Sequence, residues 1–548
     1  MIRLSEIKLT LAQAEDPQPT LFAAAQRVLG LQREDIAGIE VFKRSFDARK
    51  ADLVAVYIVD VALADASTQA AVLAKFPGHP HIGGTPDMQW NPPVQAGSAP
   101  PVRPIVVGFG PCGIFAALVL AQMGLRPIVL ERGKKVRERT QDTWGLWRKG
   151  VLDPESNVQF GEGGAGTFSD GKLYSQIKDP RHLGRKVMTE FVNAGAPEEI
   201  LYVAHPHIGT FKLVKVVENL REQIIALGGD VRFQQRVTDL RIEESARGKQ
   251  LSGLTVLDQA TGESSELRAD HVVLALGHSS RDTFEMLHRR GVFLEAKPFS
   301  IGFRIEHPQG VIDRARWGRH AGHPLLGAAD YRLVHHASNG RSVYSFCMCP
   351  GGTVVAATSE PRRVVTNGMS QYSRNERNAN AGMVVGIEPR DYPGGPLAGV
   401  ALQRELESKA FVMGGGNYEA PGQLLGDFLA ARASTQLGDV EPSYKPGVRL
   451  GDLHEALPAY AIEALREALP AFGRKIKGFD MPGAILTGVE TRTSSPLKIT
   501  RGEDYQSLNV RGLYPAGEGA SYAGGILSAG VDGIKVGEAV ALQLSCRA

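Results

Sequence analysis

One glycine-rich turn limits the folds open to this chain more than any other feature of its sequence. Residues 103–133 read RPIVVGFGPCGIFAALVLAQMGLRPIVLERG. A short apolar strand runs into the glycines, an apolar helix follows, and a second apolar strand ends at Glu131. Strand, turn, helix and strand form a βαβ unit, which begins a parallel sheet. The sequence therefore predicts an α/β domain of the Rossmann-like type.

The turn itself has the spacing of a dinucleotide fingerprint, with Gly108, Gly110 and Gly113 in G-F-G-P-C-G. In such a turn the first glycine bends the chain, the second admits a pyrophosphate and the third lets helix and strand pack closely. The carboxylate of Glu131 suits a ribose diol and disfavours the 2′-phosphate of NADP, while FAD and NAD both fit. The predicted cofactor contacts of this unit are Gly108, Gly110, Pro111, Cys112, Gly113, Glu131 and Arg132.

Two distant segments favour FAD over NAD. ADHVVLALGHSSR (269–281) resembles the Ala-Thr-Gly strand of flavoproteins with two dinucleotide-binding domains, and LYPAGEGASYAGGILSAGVDG (513–533) resembles their C-terminal FAD motif. There an acidic residue holds the ribityl chain, and the following helix directs its N-terminus at the pyrimidine end of the flavin, where its dipole stabilises negative charge. The residues predicted for these contacts, with one from a central strand, are Val237, Gly277, Gly517, Glu518, Gly524, Gly525 and Ile526.

A third glycine cluster, GEGGAGTFSDGKL (161–173), has five glycines in thirteen residues. Such a density suits neither a helix nor a packed strand. It resembles the segment that runs beside the isoalloxazine ring in fumarate-reductase-like flavoproteins. We expect Gly163, Gly164, Ala165 and Gly166 to lie against the ring and Lys172 to face it; the alternative is a surface loop without a ligand.

Taken as a set, the motifs resemble a family of FAD-dependent dehydrogenases of unknown substrate. They are KRSFDARK (43–50), VVGFGPCGIFAALVLAQMG, QFGEGGAGTFSDGKL, HPHIGT (205–210), ALGHSSRDTFEML, PFSIGFRIEHPQ, CMCPGG and GEGASYAGGI. The resemblance covers nearly the whole chain. It implies a FAD-binding domain of the glutathione-reductase or fumarate-reductase-like type and FAD as cofactor, but no substrate.

The chain is too long for one hydrophobic core, and its composition changes along its length. We predict a small N-terminal α+β domain over residues 1–90 and a Pro/Gly-rich linker over 91–102. A discontinuous FAD-binding domain follows, over 103–285 and 481–548, and an α+β cap or substrate domain covers 286–480. The run KRSFDARK is expected on a solvated face or a docking surface.

The candidates for the reacting side of the flavin are basic or titratable. Arginine clamps a carboxylate with two hydrogen bonds, and histidine moves protons near neutral pH. The candidates are Lys172, His205, His207, Arg304, His307 and Arg492. For each of them a structural role is the more common alternative.

Cys347 and Cys349 form a C-M-C motif, and Cys112 and Cys546 are the other cysteines. Four scattered cysteines predict a reducing compartment and no disulfide framework. On an extended strand the C-x-C pair has poor geometry for a disulfide, which disfavours a redox role. Two cysteines do not fill a zinc site, so no metal is expected.

Charge and hydropathy narrow the functional classes. The net charge of +3 over 548 residues gives no support for a nucleic-acid-binding surface, and no apolar run is long enough for a membrane span. We expect a cytoplasmic oxidoreductase that transfers hydride through flavin N5 to or from a small molecule, with NAD(P)H as a possible transient donor. The alternatives are an FAD- and NAD(P)H-dependent monooxygenase and a tRNA-modifying or RNA-binding flavoprotein. A disulfide reductase is disfavoured because no second G-x-G-x-x-G domain follows.

Overall fold

The structure is a computed structural model that describes residues 1–49, 52–98, 100–246 and 248–546. Some residues named above lie outside the described ranges: Lys50 of the KRSFDARK run, Ala99 of the predicted linker, and Arg547 and Ala548 of the predicted FAD-binding domain. In the described ranges, no helix combines the length and apolar character that crossing a membrane requires.

The N-terminal residues form a four-stranded sheet in the order β2-β3-β1-β4, in which each neighbouring pair is antiparallel. Alternating apolar residues of β1 and β3 face one small core, which the helix α2 covers. The elements are β1 (Ile2–Thr10), α1 (Leu11–Glu15), α2 (Pro17–Leu29), β2 (Ile36–Asp47), β3 (Val54–Leu63), α3 (Gln69–Leu73) and β4 (Ile82–Gly84).

The next part of the chain builds a five-stranded parallel sheet in the order β23-β11-β5-β6-β7. Its three middle strands are apolar and buried, as a parallel sheet covered on both faces requires. The elements are β5 (Ile105–Val107), α4 (Pro111–Gln122), β6 (Ile128–Leu130), α5 (Val136–Lys149), α6 (Leu183–Asn193), α7 (Thr210–Ala226), β7 (Asp230–Arg232), β8 (Gln235–Ser245), β9 (Gly248–Asp258), β10 (Ser264–Arg268), β11 (Val272–Leu274), α8 (Arg281–Arg289) and β12 (Leu294–Ala296).

The chain then enters a second domain, built on an eight-stranded, mostly antiparallel sheet with the main order β14-β15-β17-β13-β20-β18-β19 and β16 beside β15. Its core is the largest apolar cluster of the described chain. The elements are β13 (Phe299–Pro308), α9 (Gln309–Trp317), β14 (Val334–His336), β15 (Ser342–Ala356), β16 (Thr366–Ser370), β17 (Asn378–Ile387), α10 (Ala398–Met413), β18 (Ala420–Leu424), α11 (Leu425–Leu429), β19 (Val448–Leu450), α12 (Ala459–Gly473) and β20 (Ile485–Glu490).

The chain then returns to the domain of the parallel sheet. There β21 (Leu497–Ile499) pairs with β12, β22 (Val510–Arg511) pairs with β9, and β23 (Leu513–Pro515) joins the parallel sheet beside β11, before α13 (Ile526–Ser545). The helix α13 packs on α4 against one face of the parallel sheet. The antiparallel strands β8, β9 and β10 cover the other face.

The predicted fold class is confirmed: a Rossmann-like α/β domain with an α+β cap and a small N-terminal α+β domain. One predicted boundary differs from the structure. The sequence predicts that the FAD-binding domain resumes at residue 481, whereas β20 (Ile485–Glu490) lies inside the cap sheet between β13 and β18. A short buried strand does not reveal in sequence which of two sheets it joins.

Candidate functional site

A cleft of about 790 Å³ lies where the carboxyl ends of β5, β6 and β11 meet the cap. This edge of an open parallel sheet is where such folds bind ligands. The floor of the cleft consists of the turns after these strands and the start of α13, and the cap supplies residues 331–334, 344–348 and 492–494.

The fingerprint turn has the close backbone contacts that its glycines predict. Gly108 has φ +99°, and a Cβ there would lie 2.5 Å from the carbonyl oxygen of Ala275. A Cβ at Gly113 would lie 1.9 Å from the carbonyl oxygen of Gly108, so a side chain there would push α4 away from the sheet. The turn therefore holds the N-terminus of α4 at the cleft, where a helix favours phosphate.

Glu131, at the end of β6, joins three loops. Its carboxylate accepts hydrogen bonds from the backbone N–H groups of Phe109 (2.8 Å), Gly133 (2.8 Å) and Gly161 (3.0 Å). A carboxylate offers about four acceptor positions, so about one is left for a ligand hydroxyl. Glu131 lines the cleft, and the structure adds this loop-joining role to the predicted ribose contact.

The glycine segment after residue 160 packs against both helix starts. A Cβ at Gly164 would lie 2.9 Å from the Cα of Gly110, and one at Gly166 would lie 3.0 Å from the Cγ1 of Ile526. Only residues without bulky side chains let these three stretches of backbone converge. The stretch 164–166 consequently lines the cleft, and Gly163 packs behind it against Thr167.

Other glycines leave empty space in the cleft instead of making contacts. A Cβ at Gly277, Gly524 or Gly525 would meet no described atom within 4 Å, and all three residues line the cleft. Two residues of the cleft lining also carry a buried polar atom without a hydrogen-bond partner among the described residues, the hydroxyl of Tyr331 and Nε2 of His278. Buried polar groups are normally paired. We call the cleft-lining glycines Gly108, Gly110, Gly164, Gly166, Gly277, Gly524 and Gly525 the glycine cradle. The glycine cradle fits a bound dinucleotide, and the unpaired polar groups fit a further polar ligand.

The predicted site residues divide into two groups. Those that line the cleft are Gly108, Gly110, Pro111, Cys112, Glu131, Arg132, Gly164, Ala165, Gly166, Lys172, Val237, Gly277, Arg492, Glu518, Gly524, Gly525 and Ile526. Those that do not are Gly113, Gly163, Gly517, His205, His207, Arg304 and His307. Gly517 has a packing role, since a Cβ there would lie 2.8 Å from the Cβ of Cys112.

Lys172 follows the glycine segment and faces the cap. Its Nζ donates a hydrogen bond to the carbonyl oxygen of Met348. Burial opposes its charge, but the carboxylate of Asp170 and the nearby thiols raise the pKa of Lys172 above its usual value. Asp170 is itself paired with Arg374. Lys172 is therefore an ammonium group held at the cleft.

The predicted substrate clamp Arg304 is committed inside the cap. It is fully buried, and its Nε donates to Glu490 at 2.9 Å. Its Nη1 donates to the carbonyl oxygen of Cys347 (2.8 Å), and its Nη2 donates to Asn367 (3.0 Å). In this structure Arg304 has the structural role that was the alternative for each candidate: it positions Cys347 and Asn367, both of which line the cleft.

Arg492 reaches the cleft, but its guanidinium is taken up by protein partners. Nε and Nη2 donate to Glu407 at 3.0 and 2.9 Å, and Nη1 donates to Ser279 and Ser359. Arg281 donates to the same carboxylate at 2.6 Å. In this structure the guanidinium is paired with protein groups, and a substrate clamp at Arg492 stays a prediction. The residue belongs to a buried ionic cluster between cap and sheet domain.

The histidines predicted for proton transfer lie away from the cleft. His307 is buried in the cap, with Nε2–H donating to the carbonyl oxygen of Phe479 at 2.6 Å, and burial lowers its pKa to about 4. The ring of His207 donates to the carbonyl oxygen of Tyr372 at 2.9 Å. His205 is largely exposed, 3.6 Å from Asp330. The structure therefore brings none of the three to the cleft wall.

Several residues of the cleft lining were not predicted as site residues from the sequence. The cap contributes Tyr331, Arg332, Tyr344, Cys347 and Asn367. They come from strands and loops that are far from the fingerprint in sequence, so their proximity depends on how the cap docks. Only Cys347 stood in a motif, CMCPGG.

These features, a dinucleotide fold with a glycine cradle and a polar cap face, define a FAD-dependent oxidoreductase. Residues 298–493 match the model of the FAD-dependent protein, C-terminal domain-like family, and residues 1–62 match a domain of unknown function, DUF8436. A Clostridium beijerinckii protein described as uncharacterized is 47% identical over 541 residues, 98% of each chain. The chain belongs to this family of FAD-dependent proteins.

Solved flavoprotein structures also match the chain at low similarity. A flavoprotein/dehydrogenase from Cytophaga hutchinsonii is 13% identical, with a TM-score of 0.34, over 81% of this chain and 79% of that one. Glycerol-3-phosphate dehydrogenase from Bacillus halodurans, complexed with FAD, is 12% identical, with a TM-score of 0.34, over 81% of this chain and 64% of that one.

Proposed function

We propose that this protein transfers a hydride between flavin N5 and a small-molecule substrate bound between the flavin and the cap. One observation carries the proposal. A single cleft runs from the glycine cradle to the cap, and its lining includes Tyr331, whose buried hydroxyl has no hydrogen-bond partner among the described residues. FAD supplies the two-electron chemistry when it is bound.

The residues of the sheet domain bind and orient the cofactor in this proposal. The N-terminus of α4 takes the pyrophosphate, the free acceptor position of Glu131 takes a ribose hydroxyl, and Glu518 takes the ribityl chain. Residues 164–166 support the ring, and the N-terminus of α13 stabilises negative charge at its pyrimidine end.

The cap residues bind the substrate and exclude water in this proposal. The ammonium of Lys172 and the hydroxyl of Tyr331 offer hydrogen-bond donors to a substrate, and Asn367 is held in place by Arg304. Burial raises the pKa of Tyr331, so its hydroxyl stays protonated and can donate. Small molecules, not nucleic acids or membranes, are the proposed partners.

The test is an anaerobic titration of the purified holo-protein, first with NADH or NADPH and then with a panel of small metabolites. Bleaching of the oxidised flavin band by at least one donor is the expected result. A protein that shows no flavin band and cannot take up FAD contradicts the proposal. If NADPH oxidation inserts an oxygen atom into the product, the monooxygenase alternative replaces the proposed hydride transfer. A salt-dependent RNA gel shift would favour the RNA-binding alternative.

A further inference from the structure

The cap strand β15 is irregular where it reaches the cleft. Phe346 pairs with Gly382 of β17, whereas Cys349 pairs with Asn380, so two residues of β15 lie opposite one of β17. Cys347, inside this bulge, has φ +43°. A left-handed conformation is strained for a residue with a Cβ, and such strain concentrates at functional sites.

The bulge changes what the C-M-C motif can do. On an extended strand a C-x-C pair has poor geometry for a disulfide, but β15 is not extended at Cys347. Cys347 is half-buried and lines the cleft, while Cys349 is fully buried behind it. The Cys349 thiol lies 3.4 Å from the carbonyl oxygen of Cys347. A half-buried cysteine of the cleft lining thus stands beside a fully buried one.

The groups around the pair shift the pKa values of the two thiols in opposite directions. A side-chain hydrogen bond between the two thiols, with Cys349 as the donor, lowers the pKa of Cys347 against the cost of burial, and the cations of Arg304 and Lys172 lower it further. Asp170, paired with Arg374, and Glu490, paired with Arg304, oppose this shift. The same hydrogen bond and burial raise the pKa of Cys349. A thiolate at the attacking position and a thiol at the protected one is the arrangement that thiol–disulfide chemistry uses.

We propose that Cys347 and Cys349 form a redox-active dithiol that exchanges two electrons with the bound FAD. The inference rests on the proposed function, because it needs a flavin in the same cleft. In the oxidising direction an Sγ–Sγ bond forms, Cys349 loses its proton, and two electrons and one proton pass to the flavin. In the reverse direction the reduced flavin returns the two electrons, the Sγ–Sγ bond breaks and Cys349 regains its proton.

The first test needs no flavin chemistry. Cys347 and Cys349 fall in one tryptic peptide, residues 342–362. After mild oxidation with diamide this peptide should be lighter by two hydrogens and should resist alkylation until a reductant is added. In the reduced protein, iodoacetamide at about pH 6 should label Cys347 before Cys349 and Cys112. A peptide that never loses two hydrogens, or labelling that favours no cysteine, would overturn the proposal.

The second test counts electrons in the holo-protein. After diamide treatment and removal of the reagent, anaerobic dithionite titration should consume two more electrons per FAD in the wild type than in Cys347→Ser or Cys349→Ser. Cys546→Ser, at the exposed cysteine that directly follows α13, should match the wild type. Equal uptake by all four proteins would overturn the dithiol while leaving the flavin function intact, and absence of the flavin band would refute the function itself.

A third measurement separates this role from a structural one. Lys172→Met should slow the alkylation of Cys347 at about pH 6 by about tenfold, because it removes one of the two cations that stabilise the thiolate. Lys172→Arg should restore most of the rate. Thermal unfolding of each variant verifies that it is folded, and an unchanged rate in a folded Lys172→Met protein would contradict the proposed arrangement.

Discussion

At the scale of single residues, Glu131 shows how one side chain can organise a binding site before any ligand arrives. Its carboxylate is buried and accepts three backbone N–H groups from three loops. The sequence predicted its position after β6 and an interaction with ribose. The three backbone donors could not be predicted, because they depend on where residues 133 and 161 fold back.

Replacing Glu131 by glutamine tests this organising role. The amide NH₂ cannot accept, so at least one of the three N–H groups loses its partner, which costs about 1–3 kcal/mol. We expect Glu131→Gln to lower the free energy of unfolding by this amount and to weaken FAD binding about tenfold or more. Urea unfolding and flavin fluorescence titration measure the two effects. Glu263→Gln, at an exposed position, is the control and should change neither.

The buried ring of His307 should make the free energy of unfolding depend on pH. Burial lowers its pKa from the usual 6.5 to about 4, so the folded protein keeps the ring neutral where the unfolded chain would protonate it. The stability that this provides is fully present above pH 6.5 and is lost as the pH falls toward 4. At about pH 5 the loss amounts to about 2 kcal/mol.

A comparison of wild type with His307→Gln measures this contribution. Glutamine retains a donor for the carbonyl oxygen of Phe479 but does not titrate. Urea unfolding at about pH 7.5 and about pH 5 should show a larger loss of stability in the wild type, by about 2 kcal/mol. Equal losses in the two proteins would show that His307 titrates normally in the folded state.

At the scale of elements, the fold could be predicted where its determinants are local. The βαβ unit, the glycine segment 161–173 and the C-terminal helix are each continuous in sequence, and each carries its own turn signal. The partners of Arg304 and Arg492 were not predictable in this way. Glu490 lies across an antiparallel strand pair from Arg304, and Glu407 reaches Arg492 from the helix α10. Strand register and helix docking decide these contacts, so the sequence suggested unpaired guanidinium groups.

Two glycines near the contact of α4 and α13 allow a matched test: Gly533 lies in the helix contact, and Gly524 lines the cleft. A Cβ at Gly533 would lie 2.2 Å from the carbonyl oxygen of Cys112 on α4, whereas a Cβ at Gly524 would enter empty space in the cleft. Gly533→Ala should therefore lower the free energy of unfolding by about 1–3 kcal/mol, because the helices must separate.

Gly524→Val should behave in the opposite way. It should keep the thermal midpoint of the flavin-free protein and raise the dissociation constant of FAD about tenfold or more, since the side chain would occupy the cradle. Thermal unfolding without FAD and fluorescence titration with FAD distinguish the two variants. A Gly524→Val protein that binds FAD like the wild type would remove Gly524 from the cofactor site.

At the scale of the whole molecule, one buried ionic cluster connects the cap to the sheet domain. Arg281 begins α8 of the sheet domain, Arg492 follows the last cap strand, and both donate to Glu407 of the cap helix α10. All three side chains are almost fully buried. Burial raises the pKa of Glu407, but the two guanidinium groups outweigh it and hold that pKa far below its usual range. The cluster therefore fixes the position of the cap relative to the sheet domain, and these two parts form the walls of the cleft.

Replacing the carboxylate of Glu407 by an amide should destabilise the protein strongly, although the two side chains have almost the same size. In Glu407→Gln two buried guanidinium groups lose the fully buried carboxylate that they share, and among the described carboxylates only Glu360 remains beside them. Breaking a buried pair costs about 3–5 kcal/mol. We expect urea unfolding to show a loss of this order, and hydrogen exchange to rise on both sides of the cleft, in α8 and in β20. Glu405→Gln, at an exposed position on the same helix, should reproduce the wild type in both measurements. If Glu407→Gln unfolds like the wild type, then apolar packing alone positions the cap, and the cluster contributes nothing to the geometry of the cleft.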